Sequence, residues 1–123
     1  MQEEFEEALN NANFRATLDN HKEKLREKFR ADLIVPLEGG YFEINSTLMF
    51  EIKLYLDEGK SNFTILDMYL NPVEITNGEE FYTFIRQKYT ETLNRYRVDL
   101  NNLKRKRNVQ KLVRYNLEDD VED

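Results

Sequence analysis

Basic residues recur along the last third of this sequence, and their type and spacing could serve phosphate binding. They are Arg95, Arg97, Lys104, Arg105, Lys106, Arg107, Lys111 and Arg114, with Tyr96 among them. Lys and Arg neutralise phosphate charge, which supplies much of the affinity of proteins for nucleic acids. The same residues also fit a protein-binding surface or a solvated helix end, because cations are favoured near a helix C-terminus. We predict that they bind a partner, with protein favoured over nucleic acid.

The residue types that most catalytic sites need are scarce in this chain. There is no Cys, one His and only two Ser, and neither Ser lies in the G-x-S-x-G pattern of a nucleophile elbow. Both glycine-rich phosphate-binding patterns, G-x-x-x-x-G-K-[ST] and G-x-G-x-x-G, are also missing from the sequence. His21 shares the spacing of an apolar helical stripe, which favours a structural role. We therefore predict that the protein is not an enzyme and binds no cofactor.

Carboxylates are abundant, but their spacing does not indicate a metal site. Glu3 and Glu7 would share a helix face at i,i+4, where such pairs are usually solvated. The segment 57–59 lacks the alternating oxygen ligands of a calcium-binding loop. The acidic residues 118–123 would hold a divalent cation only weakly. No metal site is predicted.

Charge is strongly segregated along the chain, although the net value is only −6. Residues 33–82 contain nine acidic and two basic residues, whereas residues 83–117 contain ten basic and two acidic residues. Residues 118–123 add five acidic residues. Because exposed charges act within a Debye length of about 8–10 Å, this local pattern matters more than the total. The basic segment keeps nucleic acid as the alternative partner.

Composition favours a cytoplasmic protein without membrane contact. The absence of Cys is typical of a reducing compartment, and no apolar stretch approaches the roughly 18–20 residues of a membrane span. The N-terminus is acidic, where a signal peptide is basic and then apolar. Thirteen Asn against four Ala match the bias of many bacteriophage proteins, so a phage-encoded factor is one interpretation.

Helical periodicity marks both ends of the sequence. The stripe Phe14, Leu18, His21, Leu25 and Phe29 predicts a helix over 2–32, with a break near Asn10–Asn13 that would give a separate short first helix.

The second helical segment starts at Asn77, which with Glu80 forms a capping-box-like pair. No Gly or Pro follows Glu80, so the helix is predicted to run from about 78 to 115. A helix of that length exceeds a compact domain, so it either breaks near Asn101–Asn102 or Asn108, or its basic end projects.

The middle of the chain shows an alternation of period two. Apolar residues occupy most even positions from 42 to 56, which predicts one or two strands. Segment 57–61 is predicted as a hairpin loop, segment 62–70 as the next strand and segment 73–75 as a short edge strand.

Together these patterns predict an α+β fold: an N-terminal helix, an antiparallel three- to four-stranded meander and a long C-terminal helix. Residues 1–117 would form a single domain and residues 118–123 a disordered acidic tail. The predicted core comprises Leu18, Leu25, Phe29, Phe42, Ile44, Leu48, Phe50, Ile52, Leu54, Ile65, Phe81, Ile85 and Leu93.

Three functions remain open on these residues, and an enzyme with a site of unrecognised type is the least favoured of them. The first is a non-enzymatic accessory or regulatory protein that binds another protein, and the alternative is a nucleic-acid-binding accessory protein that uses the basic helix. A projecting helix would expose Tyr96, Leu100 and Leu103, which predicts a homodimer or a larger complex in which these side chains are buried.

Overall fold

The computed structural model describes residues 2–105 and has an α+β fold. Its elements, in chain order, are α1 (Gln2–Asp32), β1 (Ile34–Leu37), β2 (Gly40–Glu43), α2 (Ser46–Asp57), β3 (Phe63–Leu66), β4 (Pro72–Ile75) and α3 (Gly78–Lys104). The helices at the two ends confirm the predicted outline. The prediction of a single domain over 1–117 stays a prediction, and the acidic tail 118–123 lies outside the described residues.

The described chain divides into two compact units. Lys28–Arg95 contains both hairpins, α2, the last turn of α1 and the first part of α3. Residues 2–27 of α1 and residues 96–105 of α3 belong to the other unit. The connected hydrophobic core of Lys28–Arg95 consists of Leu33, Val35, Phe42, Ile44, Leu48, Met49, Ile52, Phe63, Ile65, Val73, Ile75, Phe81 and Ile85.

Helix α1 is continuous over 31 residues, so the predicted break at Asn10–Asn13 is wrong. Asn lowers helix propensity by less than about 1 kcal/mol and keeps its backbone N–H, so the flanking turns propagate through it. No residue of α1 is fully buried. The predicted stripe is nevertheless the covered side of the helix, because Phe14, Leu18, His21, Leu25 and Phe29 are half-buried.

The predicted meander is wrong, because its central segment is helix α2. The side-chain oxygen of Asn45 accepts a hydrogen bond from the backbone N–H of Leu48 at 2.9 Å and so caps the helix start. Residues Leu48, Met49 and Ile52 are buried, which is a helical spacing of one and four. Two apolar residues four positions apart, such as Leu48 and Ile52, share a face in a strand and also in a helix. The hydrogen bond from Asn45, which caps the first turn, favours the helix.

The outer side of α2 carries two residues that we had placed in the core. Phe50 is 65% exposed and Leu54 is also exposed. In a strand they would share a face with Ile52, but about 100° of rotation per helical residue places them away from it. Their assignment to the core is wrong for that reason.

The end of α2 replaces the predicted hairpin loop at 57–61. Gly59 has a φ of +79° and donates its backbone N–H to the carbonyl of Leu56 at 3.0 Å, while Lys60 donates to the carbonyl of Tyr55. A glycine in the left-handed region is the common way to end a helix, because it has no Cβ to strain.

Four short strands form two separate antiparallel hairpins rather than one sheet. Strand β1 pairs with β2 around a two-residue turn in which Glu38 and Gly39 both have positive φ, at 52° and 84°. Strand β3 pairs with β4 across a longer loop, residues 67–71.

Helix α3 begins where the sequence predicted. The side-chain oxygen of Asn77 accepts a hydrogen bond from the backbone N–H of Glu80, and Asn77 donates its amide to the Glu80 carboxylate. The helix runs unbroken through Asn101 and Asn102 to Lys104, so no break occurs there, and Asn108 lies outside the described residues.

One face of α3 is covered along the helix. Phe81, Ile85, Thr92 and Leu103 are buried. Leu93, which we had placed in the core, is exposed because it lies about 100° around the helix from Thr92.

Candidate interaction surface

Four large apolar side chains are exposed around the loop that joins β3 to β4. They are Tyr41, Leu66, Tyr69 and Leu70, which we name the tyrosine surface. The rings of Tyr41 and Tyr69 meet edge to face with centroids 6.0 Å apart. Tyr69 is 64% exposed and Leu70 is 74% exposed, so these side chains contribute little to the core. Exposed apolar residues that cluster in this way are typical of binding surfaces rather than of ordinary solvent-facing positions.

The carboxylate of Asp67 holds this surface in place. Its Oδ1 accepts backbone hydrogen bonds from Tyr69 and Asn71, both at 2.9 Å, and its Oδ2 accepts one from Tyr41 at 3.1 Å. Asp67 is only 5% exposed, and its three backbone donors satisfy the buried charge. The loop 67–71 is thus tied both to itself and to β2.

The hydrogen bonds to Asp67 also alter its acidity. They lower the pKa of Asp67 below its ordinary value, with the backbone N–H of Asn71 as the largest cause and those of Tyr41 and Tyr69 adding to it. Burial acts in the opposite direction and is outweighed. Asp67 is therefore ionised at neutral pH, and its role in this arrangement is to accept hydrogen bonds.

Backbone geometry contributes to the exposure of Leu70. Its φ is +63°, a left-handed conformation that non-glycine residues adopt rarely. The backbone N–H of Leu70 donates to the carbonyl of Asp67, and the N–H of Asp67 donates to the carbonyl of Asn71. The loop is closed by these bonds, and a rigid loop presents its side chains at a low entropic cost on binding.

An acidic depression lies beside the tyrosine surface. It has a volume of about 340 Å³ and is lined by Phe42, Glu43, Asn45, Thr47, Leu48, Glu51, Leu66, Asp67 and Met68. Leu66 belongs to both features, and Glu43 lies two residues from Tyr41 on the same side of β2. The exposed carboxylates Glu43 and Glu51 come from β2 and α2.

A larger depression, of about 420 Å³, runs along α3. Its lining residues are Tyr82, Thr83, Arg86, Gln87, Thr90 and Glu91. All six come from one helix, so no second element among residues 2–105 encloses it. A depression lined by a single helix offers less to a ligand than a concave site formed by several elements.

The predicted basic residues are only partly described. Arg97, Lys104 and Arg105 are exposed on α3, and Arg97 and Lys104 lie seven residues apart, on one side of the helix. None of these three forms an ion pair within the part of the chain that the structure describes. Lys106, Arg107, Lys111 and Arg114 lie outside the described residues.

Arg95 and Tyr96 already have neighbours in the structure. Arg95 Nη1 lies 3.8 Å from the Asp32 carboxylate, and both side chains are partly solvated, so this ion pair contributes little stability. Tyr96 is half-buried and lies near Arg26. The pKa of Arg26 is raised chiefly by its hydrogen bond to Glu23 at 2.9 Å, with a smaller contribution from Tyr96.

The apolar residues that suggested a dimer are covered within one chain. Leu103 is fully buried, and Tyr96 and Leu100 are half-buried. Their exposure therefore gives no reason to expect a homodimer.

The described residues show neither a group of metal ligands nor a membrane-spanning helix. In residues 2–105, no three His, Asp or Glu side chains are grouped closely enough to hold a metal ion. None of the helices in that range combines the length and the apolar character needed to cross a bilayer.

Sequence reasoning missed the tyrosine surface, because Tyr69 and Leu70 were assigned to a strand. The available signal was the spacing of Asp67 and Asn71 before Pro72, since Asp and Asn side chains often bond backbone groups of their own turn. That signal predicts a loop but not the approach of Tyr41, which lies 28 positions from Tyr69.

Comparisons with protein-family models, with curated proteins and with solved structures found no match to this chain.

Proposed function

We propose that this chain is a non-enzymatic binding protein, a small accessory or regulatory factor that acts by contacting another protein through the tyrosine surface. The observation that carries the proposal is the hydrogen-bonded anchoring of exposed Tyr41, Tyr69 and Leu70 by buried Asp67. A loop that only connects two strands has no need to present large apolar side chains to solvent.

The chemistry of these side chains supports a protein partner. Tyrosine buries a large apolar ring while its hydroxyl keeps a hydrogen-bonding group, and it is enriched among the residues that dominate interface energies. The loop is already closed by its own hydrogen bonds, so binding loses less conformational entropy than it would with a flexible loop.

Site-specific crosslinking tests the proposal directly, because the chain has no Cys of its own. A single Cys at Leu70 would carry a photoactivatable benzophenone, and a single Cys at Ser61, an exposed position outside the tyrosine surface, would serve as the matched control. In a lysate of the source cells, the probe at position 70 is expected to crosslink one protein that the probe at position 61 does not.

The crosslinked protein would then be purified and its affinity measured by calorimetry. We expect Tyr69→Ser with Leu70→Ser to weaken binding at least tenfold, because hot-spot truncations cost about 2 kcal/mol or more. Equal affinity of the double variant and the parent chain for the partner would refute the proposal. The comparison requires that the two proteins melt at similar temperatures.

Nucleic-acid binding is the second candidate function. The observation that favours it is the exposure of Arg97, Lys104 and Arg105 without an ion pair in residues 2–105. The overall charge of −6 opposes it, since long-range repulsion reduces the affinity for a polyanion.

A salt titration separates the two candidates. If these cations contact phosphates, the logarithm of the binding constant falls with the logarithm of salt concentration by about 0.7–0.9 per contact. Lys104→Glu with Arg105→Glu would then abolish binding to DNA and RNA, whereas Lys24→Glu with Arg30→Glu on α1 would change it far less. Negligible binding by the parent chain at low salt would remove this candidate.

The prediction of a homodimer or a larger complex stays a prediction, although the exposure of Tyr96, Leu100 and Leu103 no longer supports it. Light scattering over a range of concentrations tests it, and a monomer at all concentrations would leave a different protein as the partner.

A further inference from the structure

We propose that the acidic depression selects the partner by accepting a Lys or Arg side chain that is flanked by large apolar residues. This inference rests on the proposed protein-binding function and names the chemistry of the segment that would be bound. The occupant is a basic and apolar segment of another protein.

The lining of the acidic depression combines two kinds of surface. Its apolar part comes from buried Phe42 and Leu48 together with Leu66, and its charged part comes from Glu43 and Glu51. Neither carboxylate forms an ion pair with any of residues 2–105. A lining that combines two exposed carboxylates with apolar side chains matches the amphipathic form of Lys and Arg, whose apolar stem can pack while the charged head stays in water.

Charge complementarity favours a basic occupant over a neutral one. Residues 33–82, which supply every residue lining the depression, contain nine acidic and only two basic residues. Those two, Lys53 and Lys60, are each within 3.3 Å of a carboxylate, Asp57 and Glu58 respectively. The basic residues of this segment are thus engaged by other acids, and the carboxylates at the depression are left to attract a cation from outside.

Continuity with the tyrosine surface favours a peptide segment over a small cation. Leu66 belongs to both features, and Tyr41 and Glu43 point to the same side of β2, so one extended segment can reach both. The volume of about 340 Å³ is near the lower end of the range of about 300–1,000 Å³ for ligand pockets, which suits one side chain rather than a whole ligand.

The experiment uses the full chain and a fluorescent probe peptide in which Leu or Phe alternates with Lys or Arg. A second peptide, in which each basic residue is replaced by Gln, tests the need for charge. Binding is measured by anisotropy with the parent chain, with Glu43→Gln and Glu51→Gln combined, and with Glu6→Gln and Glu7→Gln combined. The last variant loses the same charge at exposed positions that do not line the depression.

We expect the basic peptide to bind the parent chain and the Glu6/Glu7 variant equally. The Glu43/Glu51 variant should bind it about threefold to tenfold more weakly, because exposed ion pairs contribute up to about fivefold each. The Gln peptide should bind all three proteins weakly.

Equal binding of the basic peptide to all three proteins, or no binding to any, would overturn the inference. The proposed function fails separately, because it depends on Tyr69 and Leu70. If Tyr69→Ser with Leu70→Ser abolishes binding of the crosslinked partner while the Glu43/Glu51 variant binds that partner normally, the tyrosine surface stands and the selectivity for a basic residue is refuted.

Discussion

The carboxylate of Asp67 accepts the backbone N–H of Tyr41 at 3.1 Å and thereby joins the loop of the second hairpin to strand β2 of the first. The two residues are 26 positions apart, so this is a tertiary contact rather than a local turn. The backbone N–H of Met68 also donates to the carbonyl of Tyr41 at 2.8 Å, so the Asp67 side chain is one of two groups that hold the loop of the tyrosine surface against β2.

We predict that Asp67→Asn destabilises the protein and lowers its melting temperature by several degrees. The Asn oxygen can still accept from Tyr69 and Asn71, but its NH2 group would then face the N–H of Tyr41, which leaves two donors opposed. Thermal unfolding followed by circular dichroism measures the effect. Asp19→Asn, an exposed position on α1, is the control and should melt like the parent chain.

The same carboxylate predicts a pH dependence. Its pKa is lower in the folded state than in the unfolded state, so it adds stability above the unfolded pKa of about 3.9, and this stability is lost as the pH falls through the folded pKa. The difference in stability between the parent chain and Asp67→Asn should therefore be constant near neutral pH and shrink below about pH 4. Urea titrations at several pH values measure it, and a difference that grows in acid would contradict the assignment.

Thr92→Val should stabilise the protein. Thr92 is buried on α3, and its hydroxyl has no hydrogen-bond partner in the described part of the chain. Because an unsatisfied buried polar group costs about 1–3 kcal/mol, an apolar side chain of the same shape should raise the free energy of unfolding by about 1 kcal/mol. The matched control is exposed Thr90→Val, with a change below about 0.5 kcal/mol. A less stable Thr92 variant would mean that the hydroxyl is bonded.

Gly40→Ala should destabilise the protein, because the two hairpins approach closely at this position. An added Cβ would lie 2.8 Å from Val73 Cγ2 and 3.2 Å from Asp67 Oδ2. Overpacking of this kind costs about 1–3 kcal/mol. Gly39→Asn provides the comparison, since Asn tolerates the positive φ there and an added Cβ meets nothing within 4 Å. Chemical denaturation of both variants should rank Gly40→Ala as the less stable.

Substitutions on the two sides of α2 should change the free energy of unfolding by very different amounts. Ile52→Ala removes a fully buried side chain and should cost about 2–5 kcal/mol of unfolding free energy. Phe50→Gln, two residues away, should change it by less than about 0.5 kcal/mol because Phe50 is exposed. Equal losses in urea denaturation would mean that the segment is a strand with both residues on one face.

Some of the fold could be predicted from the sequence because its signals are local. The start of α3 follows from Asn77 and Glu80, which bond each other within one turn, and the covered side of α1 follows from the stripe that begins at Phe14. Helix α2 was not predicted because its apolar residues fit the period of two of a strand as well as the period of 3.6 of a helix. Asn45, which caps the helix, was interpreted as part of a junction between two strands.

The candidate site could not be predicted in the same way. Its parts are brought together by a hydrogen bond between distant residues and by the close approach at Gly40, neither of which leaves a periodic pattern. The basic residues could be recognised because eight of them lie within positions 95–114 of the sequence, although only some of them fall among the described residues.

The separation of the strands into two hairpins also determines how many strand edges are open to pairing with another molecule. In a two-stranded sheet both strands are edge strands, and an open edge invites pairing with a strand of another molecule. The only two Pro residues of the chain are Pro36 in β1 and Pro72 in β4, one in each hairpin. Since Pro has no N–H to donate, β1 and β4 are poorer templates for the addition of a further strand than strands of the same length without Pro.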